Sequence, residues 1–173
     1  FFIGPGRAGL ALGFALWRAG GADSLTYCGR RPDPPPHPLF IQGCARYVFG
    51  LEKPEPGTTA VILSVPDEVL TEISEVLAAH GEAPRGCAAL HLSGALGADP
   101  LAPLLAQGYE VGTLHPLQSL ADPVLGGEQL PGATFAVSGD PGALATARRI
   151  LHHLGSPCIT VPVARRPLYH AAA

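Results

Sequence analysis

Three glycines near the start of the chain have the spacing of a phosphate-binding turn. Gly4, Gly6 and Gly9 follow the apolar residues 1–3 and precede an apolar helical pattern that continues to Arg18. Between a strand and a helix, the first glycine permits a tight bend, the second lets a pyrophosphate approach the backbone, and the third lets the helix pack close to the sheet. The predicted cofactor-binding residues of this turn are Gly4, Pro5, Gly6, Arg7, Ala8 and Gly9. The alternative is a glycine-rich turn that binds no ligand.

Two arginines indicate which dinucleotide this turn would bind. Arg30 and Arg31 follow a predicted strand over Leu25 to Cys28, at the place where NAD-binding proteins carry Asp or Glu for the ribose 2′-hydroxyl. Two guanidinium groups would instead bind a 2′-phosphate through charge-assisted hydrogen bonds. We therefore expect NADP as the cofactor and regard NAD as less favoured. Asp33 favours NAD and so counts against this expectation. The alternative for the two arginines is that they lie in a solvated loop and bind no ligand.

A third predicted cofactor contact follows the apolar run 59–65. This run is typical of a strand that is buried on both faces of a parallel sheet, and ligands of such sheets bind beyond the carboxyl ends of the strands. Ser64, Val65 and Pro66 lie at that end, so we predict that they contact the dinucleotide. The alternative is a simple strand-to-helix turn, in which Pro66 opens the helix and Asp67 supplies negative charge at its N-terminus.

The predicted catalytic residues are His115 and Ser93, which follow the next two predicted strands. Hydride transfer to or from a carbonyl or imine also requires a proton to be moved, and histidine titrates in the appropriate range. Ser93 can both donate and accept a hydrogen bond to a substrate or a carboxamide. The alternatives are an imidazole that fixes its own loop and a hydroxyl that caps the next turn. Gln118 and Ser119 are candidates for orienting a substrate, and His91 is expected to be a core histidine.

The elements that must position these residues alternate along the chain. Strands are predicted at 1–3, 25–28, 59–65, 88–92, 110–114, 134–137 and 158–161, with helices after 66, over 99–106 and over 142–154. The segments 32–38 and 120–132 are predicted to be loops because they are rich in proline and glycine. Alternating strands and helices indicate an α/β fold with a doubly wound, mainly parallel sheet and helices on both faces.

Composition excludes several classes of function. Charged residues are 14% of the 173 residues and the formal net charge is -3, which offers no basic surface for nucleic acid. The sequence has no apolar run of the roughly 18 residues that span a bilayer, so we expect no membrane partner and a cytoplasmic location. The four cysteines are irregularly spaced, and no metal site is predicted.

Five strings of residues resemble a bacterial family of Rossmann-like oxidoreductases whose second domain has no assigned function. They are FIGPGRAG at 2–9, SVPD at 64–67, HLSGA at 91–95, HPLQ at 115–118 and YHAAA at 169–173. The family is similar to pyrroline-5-carboxylate reductase, prephenate dehydrogenase, ketopantoate reductase and the 6-phosphogluconate dehydrogenase group, which oxidise or reduce small acids with NADP or NAD.

The resemblance implies a nucleotide-binding domain over residues 1–163, followed by a helical domain that forms a homodimer and closes the substrate site. Residues 164–173 match the start of that helical domain, with Tyr169 and His170 as second choices for the cleft, and its remainder is expected to be missing from this chain. The implied function is an NADP-dependent oxidoreductase that transfers hydride to or from a small carbonyl, imine or hydroxy acid. Two alternatives remain open: an NADP(H) sensor without turnover, and a reductase that couples NADP to a flavin or deazaflavin.

Overall fold

Eight strands form one sheet in the computed structural model, which describes residues 1–162 of the chain. The strands are β1 (Phe2–Ile3), β2 (Thr26–Gly29), β3 (Arg46–Phe49), β4 (Ala60–Leu63), β5 (Ala88–His91), β6 (Glu110–Pro116), β7 (Phe135–Gly139) and β8 (Cys158–Ile159). The helices are α1 (Arg7–Arg18), α2 (Pro38–Ile41), α3 (Leu70–Ala78), α4 (Ala102–Leu105), α5 (Pro123–Gln129) and α6 (Pro141–His153). Short 3-10 turns, Asp67–Val69 and Asp99–Leu101, precede α3 and α4.

The strand order creates a crevice next to the glycine turn. Across the sheet the order is β3-β2-β1-β4-β5-β6-β7-β8, and every pair from β3 to β6 is parallel. The chain builds outward from β1 to β3 and then returns to the other side of β1 to begin β4. Loops that leave β1 and β4 therefore diverge to opposite faces of the sheet, and ligands of such folds bind in the resulting gap.

Helices cover both faces of this sheet, as predicted. One buried cluster joins α1 and α6 to one face and includes Phe14 and Leu90, whereas a second joins α3 and α4 to the other face and includes Leu70 and Val61. The central strands are apolar in both directions because both of their faces are buried. The expected doubly wound, Rossmann-like α/β fold is confirmed.

The far edge of the sheet departs from the parallel pattern. β7 is antiparallel to β6, and β8 is parallel to β7. Pairing with β7 also lengthens β6 beyond the predicted end at Leu114. His115 consequently lies inside β6 opposite Ala136, so the prediction that it lies in a turn after the strand is wrong.

The segment 32–58 contains two elements that the sequence analysis missed, α2 and β3. Pro38 is at the first position of α2, where its fixed backbone angle favours a helix. His37 caps this helix, because its Nδ1 accepts a hydrogen bond from the backbone N–H of Leu39 at 3.3 Å. His37 is buried, with 1% of its surface exposed, although it lies in the segment 32–38 that was predicted to be a loop.

The segment 120–132 is also more ordered than predicted, because it contains α5. Asp122 caps this helix, with its Oδ1 accepting hydrogen bonds from the N–H groups of Val124 and Leu125 at 2.9 and 2.8 Å. α5 packs against α1, where Gly127 lies in contact with Phe14.

The helices within residues 1–162 are all too short or too polar to span a bilayer. The predicted domain boundary after 163 and the residues Tyr169 and His170 lie outside the described residues.

Candidate functional site

The glycine turn after β1 is shaped by contact with the turn after β4. Gly4 has a φ of +91°, a left-handed conformation that favours glycine. A Cβ at Gly4 would also lie 2.5 Å from the carbonyl oxygen of Ser64. Backbone hydrogen bonds fix both turns, since the N–H of Gly4 donates to Cys28 at 2.9 Å and that of Ser64 donates to Ile3 at 2.8 Å.

The other two glycines differ in what surrounds them. A Cβ at Gly9 would lie 2.5 Å from Ser64 Oγ, so this glycine is required for the helix to pack against the strand ends. A Cβ at Gly6 would come no closer than 3.3 Å to any other residue of the described chain, and Gly6 is exposed. Gly6 caps α1, whose first turn carries neither a capping side chain nor an acidic residue within the described structure. This helix N-terminus is therefore suited to an anion.

One cleft of about 1070 Å³ joins three of the predicted cofactor-binding segments. The predicted residues that line it are Gly4, Pro5, Gly6, Arg30, Arg31, Ser64, Val65 and Pro66. Arg7, Ala8 and Gly9 lie in the first turn of α1 and do not line it. The cleft is open beside Gly6, where a Cβ would narrow it, and Arg30 and Arg31 add two positive charges to its lining. This arrangement fits an extended dinucleotide.

The arginine pair lies at one end of this cleft. Both side chains are exposed, and neither forms an ion pair with another residue in the described part of the chain. Asp33, the residue that favours NAD, lines the same cleft. The phenol of Tyr47 donates a hydrogen bond to the backbone carbonyl of Arg31 at 2.7 Å.

Ser93 is held by a network at the carboxyl end of β5. Its hydroxyl donates to Asp67 Oδ2 at 2.6 Å and accepts from the N–H groups of Ala95 and Leu96 at 3.2 and 3.3 Å. It therefore caps the following turn and ties it to the 3-10 turn that precedes α3. Its predicted catalytic role stays a prediction.

His91 is a core histidine, as expected. It is fully buried, and its Nδ1 accepts a hydrogen bond from the N–H of Ser93 at 3.2 Å. Since Nδ1 is an acceptor, Nε2 carries the proton and donates to the carbonyl of Gly97 at 2.6 Å.

His115 is half-buried and lies at the same edge of the sheet as Ser93. His91 pairs with Thr113 in the register of β5 and β6, so Ser93 and His115 each lie two residues beyond that pair. Neither residue lines the dinucleotide cleft. The structure thus places Ser93 two residues after β5 and His115 one residue before the end of β6, on the side of β4 away from β2 and the arginines. Gln118 is hydrogen-bonded to Gln129 at 3.1 Å, and Ser119 is exposed.

Several residues of the cleft were missed by sequence reasoning. Tyr47 and Leu51 come from β3 and its following loop, whereas Val69, Glu72 and Ile73 come from the turn and helix after Ser64. Tyr47 and Leu51 could have been predicted from residues 46–49, a short run of residues with high β-propensity that is followed by Gly50.

One of the four cysteines, Cys28, lines this cleft. Burial raises the pKa of Cys28, and it raises the pKa of Cys87 to about 12. Cys44 is half-buried and Cys158 is exposed. Among residues 1–162, no cluster of His, Cys, Asp and Glu is arranged to hold a metal ion.

Comparisons with known proteins agree with this fold. A family model described as a Rossmann-like domain matches residues 48–116. The structure is similar to Synechocystis arogenate dehydrogenase, with a TM-score of 0.76, 19% identity, and coverage of 98% of this chain and 62% of that one. Aquifex aeolicus prephenate dehydrogenase, solved with hydroxyphenyl propionate and NAD+, gives a TM-score of 0.74, 15% identity, and coverage of 95% and 60%.

A third neighbour is Plasmodium falciparum pyrroline carboxylate reductase with NADP bound, with a TM-score of 0.64, 12% identity, and coverage of 99% and 64%. The chain thus spans between 60% and 64% of the lengths of these three proteins. A comparison with curated protein sequences gives no match.

These findings confirm the resemblance that the sequence motifs indicated. The chain contains a Rossmann-like domain, and its structural neighbours include two dehydrogenases, one of them solved with NAD+, and a reductase with NADP bound.

Proposed function

We propose that this chain is the dinucleotide-binding part of an NADP-dependent oxidoreductase that transfers hydride to or from a small carbonyl, imine or hydroxy acid. The observation that carries the proposal is one cleft that contains both the glycine turn and the unpaired arginines Arg30 and Arg31. The glycine turn is suited to the pyrophosphate, and the arginines are suited to a 2′-phosphate that NAD lacks.

The roles of the cleft residues follow from their positions. Gly6 leaves room for the pyrophosphate at the N-terminus of α1, whereas Gly4 is packed against Ser64 and Val65, which line the cleft beside the glycine turn. When bound, the nicotinamide supplies or accepts the hydride. The protein must place that ring beside a substrate and move a proton.

Proton handling is assigned in this proposal to His115, with Ser93 orienting the substrate. Both residues lie on the strand ends beyond β4, so a cofactor that extends from the arginines across the glycine turn would point its other end toward them. His115 is partly exposed, which allows contact with a substrate. Replacing His115 with Asn tests this role. NADPH binding should be retained, and turnover should fall by about 100-fold or more, the usual contribution of a general acid or base.

The nucleotide preference is tested by fluorescence titration of the full chain with NADPH and NADH. Replacing both Arg30 and Arg31 with Ala should weaken NADPH binding by about tenfold or more, because two charge-assisted contacts are lost, and should leave NADH binding within about twofold. The matched control replaces the exposed pair Arg148 and Arg149 on α6 with Ala, which makes the same charge change away from the cleft.

Three results would contradict the proposal. Equal affinity of the unaltered chain for NADPH and NADH would remove the assignment of NADP. An equal loss of NADPH binding in the two double variants would show that the arginines act through net charge and form no phosphate site. NADPH binding without oxidation by any of a panel of small oxo acids and imines would favour the sensor instead.

A further inference from the structure

Tyr47 lies beside the arginine pair but contributes no charge to it. We propose that Tyr47 is a positioning residue that holds the backbone of Arg30 and Arg31 in the conformation that binds a 2′-phosphate, and thereby sets the preference for the phosphorylated nucleotide. This inference rests on the proposed function and adds a residue to its specificity.

The contacts of Tyr47 reach both ends of the arginine segment. Its ring lies across Gly29, where a Cβ would come within 2.9 Å of two ring carbons and still closer to the hydroxyl. The same hydroxyl donates to the carbonyl oxygen of Arg31 at 2.7 Å. One side chain therefore packs on the last residue of β2 and bonds the backbone two residues later.

Neighbouring groups hold this ring in place. Phe40 on α2 packs edge-on against Tyr47, with the ring centroids 5.7 Å apart and an interplanar angle of 80°. Beyond Tyr47 on the same side of the turn, the N–H of Gly50 donates to the carbonyl of Gly29 at 2.8 Å. The position of the phenol oxygen is thus fixed by packing before any nucleotide binds.

The energetic consequence concerns order in the arginine segment. Both arginines are exposed and have no ion-pair partner in the described chain, so their own side chains do not fix the loop. Ordering such a backbone when the ligand binds costs conformational entropy, which reduces affinity. The hydrogen bond from Tyr47 orders this backbone in the free protein, so less conformational entropy is lost when the nucleotide binds. It also engages a carbonyl oxygen that would otherwise be an acceptor close to an anionic phosphate.

NADH does not use the arginine pair in this arrangement, since it has no 2′-phosphate. Loss of the tether should therefore change the affinity for NADPH and spare the affinity for NADH. A residue that merely stabilised the fold would change both affinities together.

The test is Tyr47→Phe, which removes the hydroxyl and keeps the ring over Gly29. NADPH and NADH are titrated into the full chain, and we expect NADPH binding to weaken by about fivefold, the effect of one hydrogen bond, with NADH unchanged. Tyr109→Phe is the matched control, because Tyr109 is buried in the cluster under α3 and α4, away from the cleft.

A second arm places Tyr47→Phe in the chain in which Arg30 and Arg31 are both Ala. Before Tyr47 is replaced, this arginine-free chain keeps the backbone carbonyl at position 31. The hydrogen bond from Tyr47 is therefore still formed, but no guanidinium group is present for it to position. We expect the Tyr47 substitution to have no further effect on NADPH binding in this background.

Each remaining outcome contradicts a stated part of the argument. If the unaltered chain prefers NADPH and Tyr47→Phe leaves that preference unchanged, or weakens both nucleotides alike, the role of Tyr47 is refuted and the proposed function stands. An additive effect in the arginine-free background also refutes it. If the unaltered chain shows no preference for NADPH, the proposed function and this inference both fail.

Discussion

Replacing Gly6 with Ala should separate nucleotide binding from folding. Gly6 has a φ of -79° and a ψ of 173°, an extended conformation that alanine adopts without strain. The added Cβ would lie 3.3 Å from the Ser64 carbonyl, which needs a shift of a few tenths of an ångström. Since glycine is also slightly better than alanine as a helix cap, we expect a loss of about 0.5–1 kcal/mol in unfolding free energy.

The effect on the nucleotide should be larger, because the same Cβ occupies the space that a pyrophosphate needs. Overpacking of a close contact costs about 1–3 kcal/mol, or roughly 5- to 150-fold in Kd. The measurement combines a titration with NADPH and a thermal melt of the free protein. A loss of about 0.5–1 kcal/mol corresponds to roughly 1–4 °C in Tm for a domain of this size.

Gly9→Ala is the contrasting variant. Its Cβ would meet Ser64 Oγ at 2.5 Å and the carbonyl of Gly4 at 3.0 Å, so the free protein itself must adjust. We expect this variant to lower Tm by more than Gly6→Ala does, although alanine recovers about 1 kcal/mol of helix propensity. If Gly6→Ala binds NADPH as tightly as the unaltered chain, the pyrophosphate does not lie on this turn and the argument from the glycine spacing is refuted.

Three further predictions concern the rest of the structure. Tyr27→Phe removes a buried hydrogen bond of 2.8 Å to the carbonyl of Gly9, so unfolding free energy should fall by about 1 kcal/mol in urea titrations, and NADPH and NADH should weaken by the same factor. Burial lowers the pKa of His37, so the unfolded chain binds a proton more readily than the folded chain does. The free energy of unfolding should therefore fall as the pH drops below about 6.5. Urea titrations between pH 7 and 5 should show a smaller dependence of this free energy on pH in His37→Asn. In the folded protein, Ellman's reagent should modify Cys158, which is exposed, and should spare Cys87 until urea is added, because burial raises the pKa of Cys87 to about 12; equal labelling rates would contradict this burial.

The sequence predicted the structure well at positions where the fold accepts only a few residue types. Apolar β-branched runs identified the central strands, and the glycine spacing identified the turn after β1, because burial on both faces and close backbone approach each admit few residues. Both turns were found at the expected strand ends, where the N–H of Ser64 donates to Ile3 and the carbonyl of Ser64 lies beside Gly4.

The remaining features depend on long-range contacts that have little local signal. Tyr47 faces the arginines because β3 pairs with β2, and no pattern around residue 47 states that pairing. His37 is buried because Phe14 and Phe40 pack around it, although prolines surround it in sequence. β6 extends to Pro116 because an antiparallel partner returns beside it. Each of these outcomes is decided by tertiary packing that overrides local preference.

Ser64 contacts the space beside all three glycines of the turn, and this limits how the chain can vary. Its carbonyl faces Gly4 and Gly6, and its hydroxyl faces Gly9. Only the contact of the hydroxyl depends on the side chain at position 64, so a larger residue there would collide with Gly9 on α1. Positions 9 and 64 should therefore vary together under random mutagenesis with selection for folding, in which bulky residues at 64 are tolerated only with compensating movement of α1. A deep mutational scan would reveal this as strong epistasis between two residues that are about 55 positions apart in the chain.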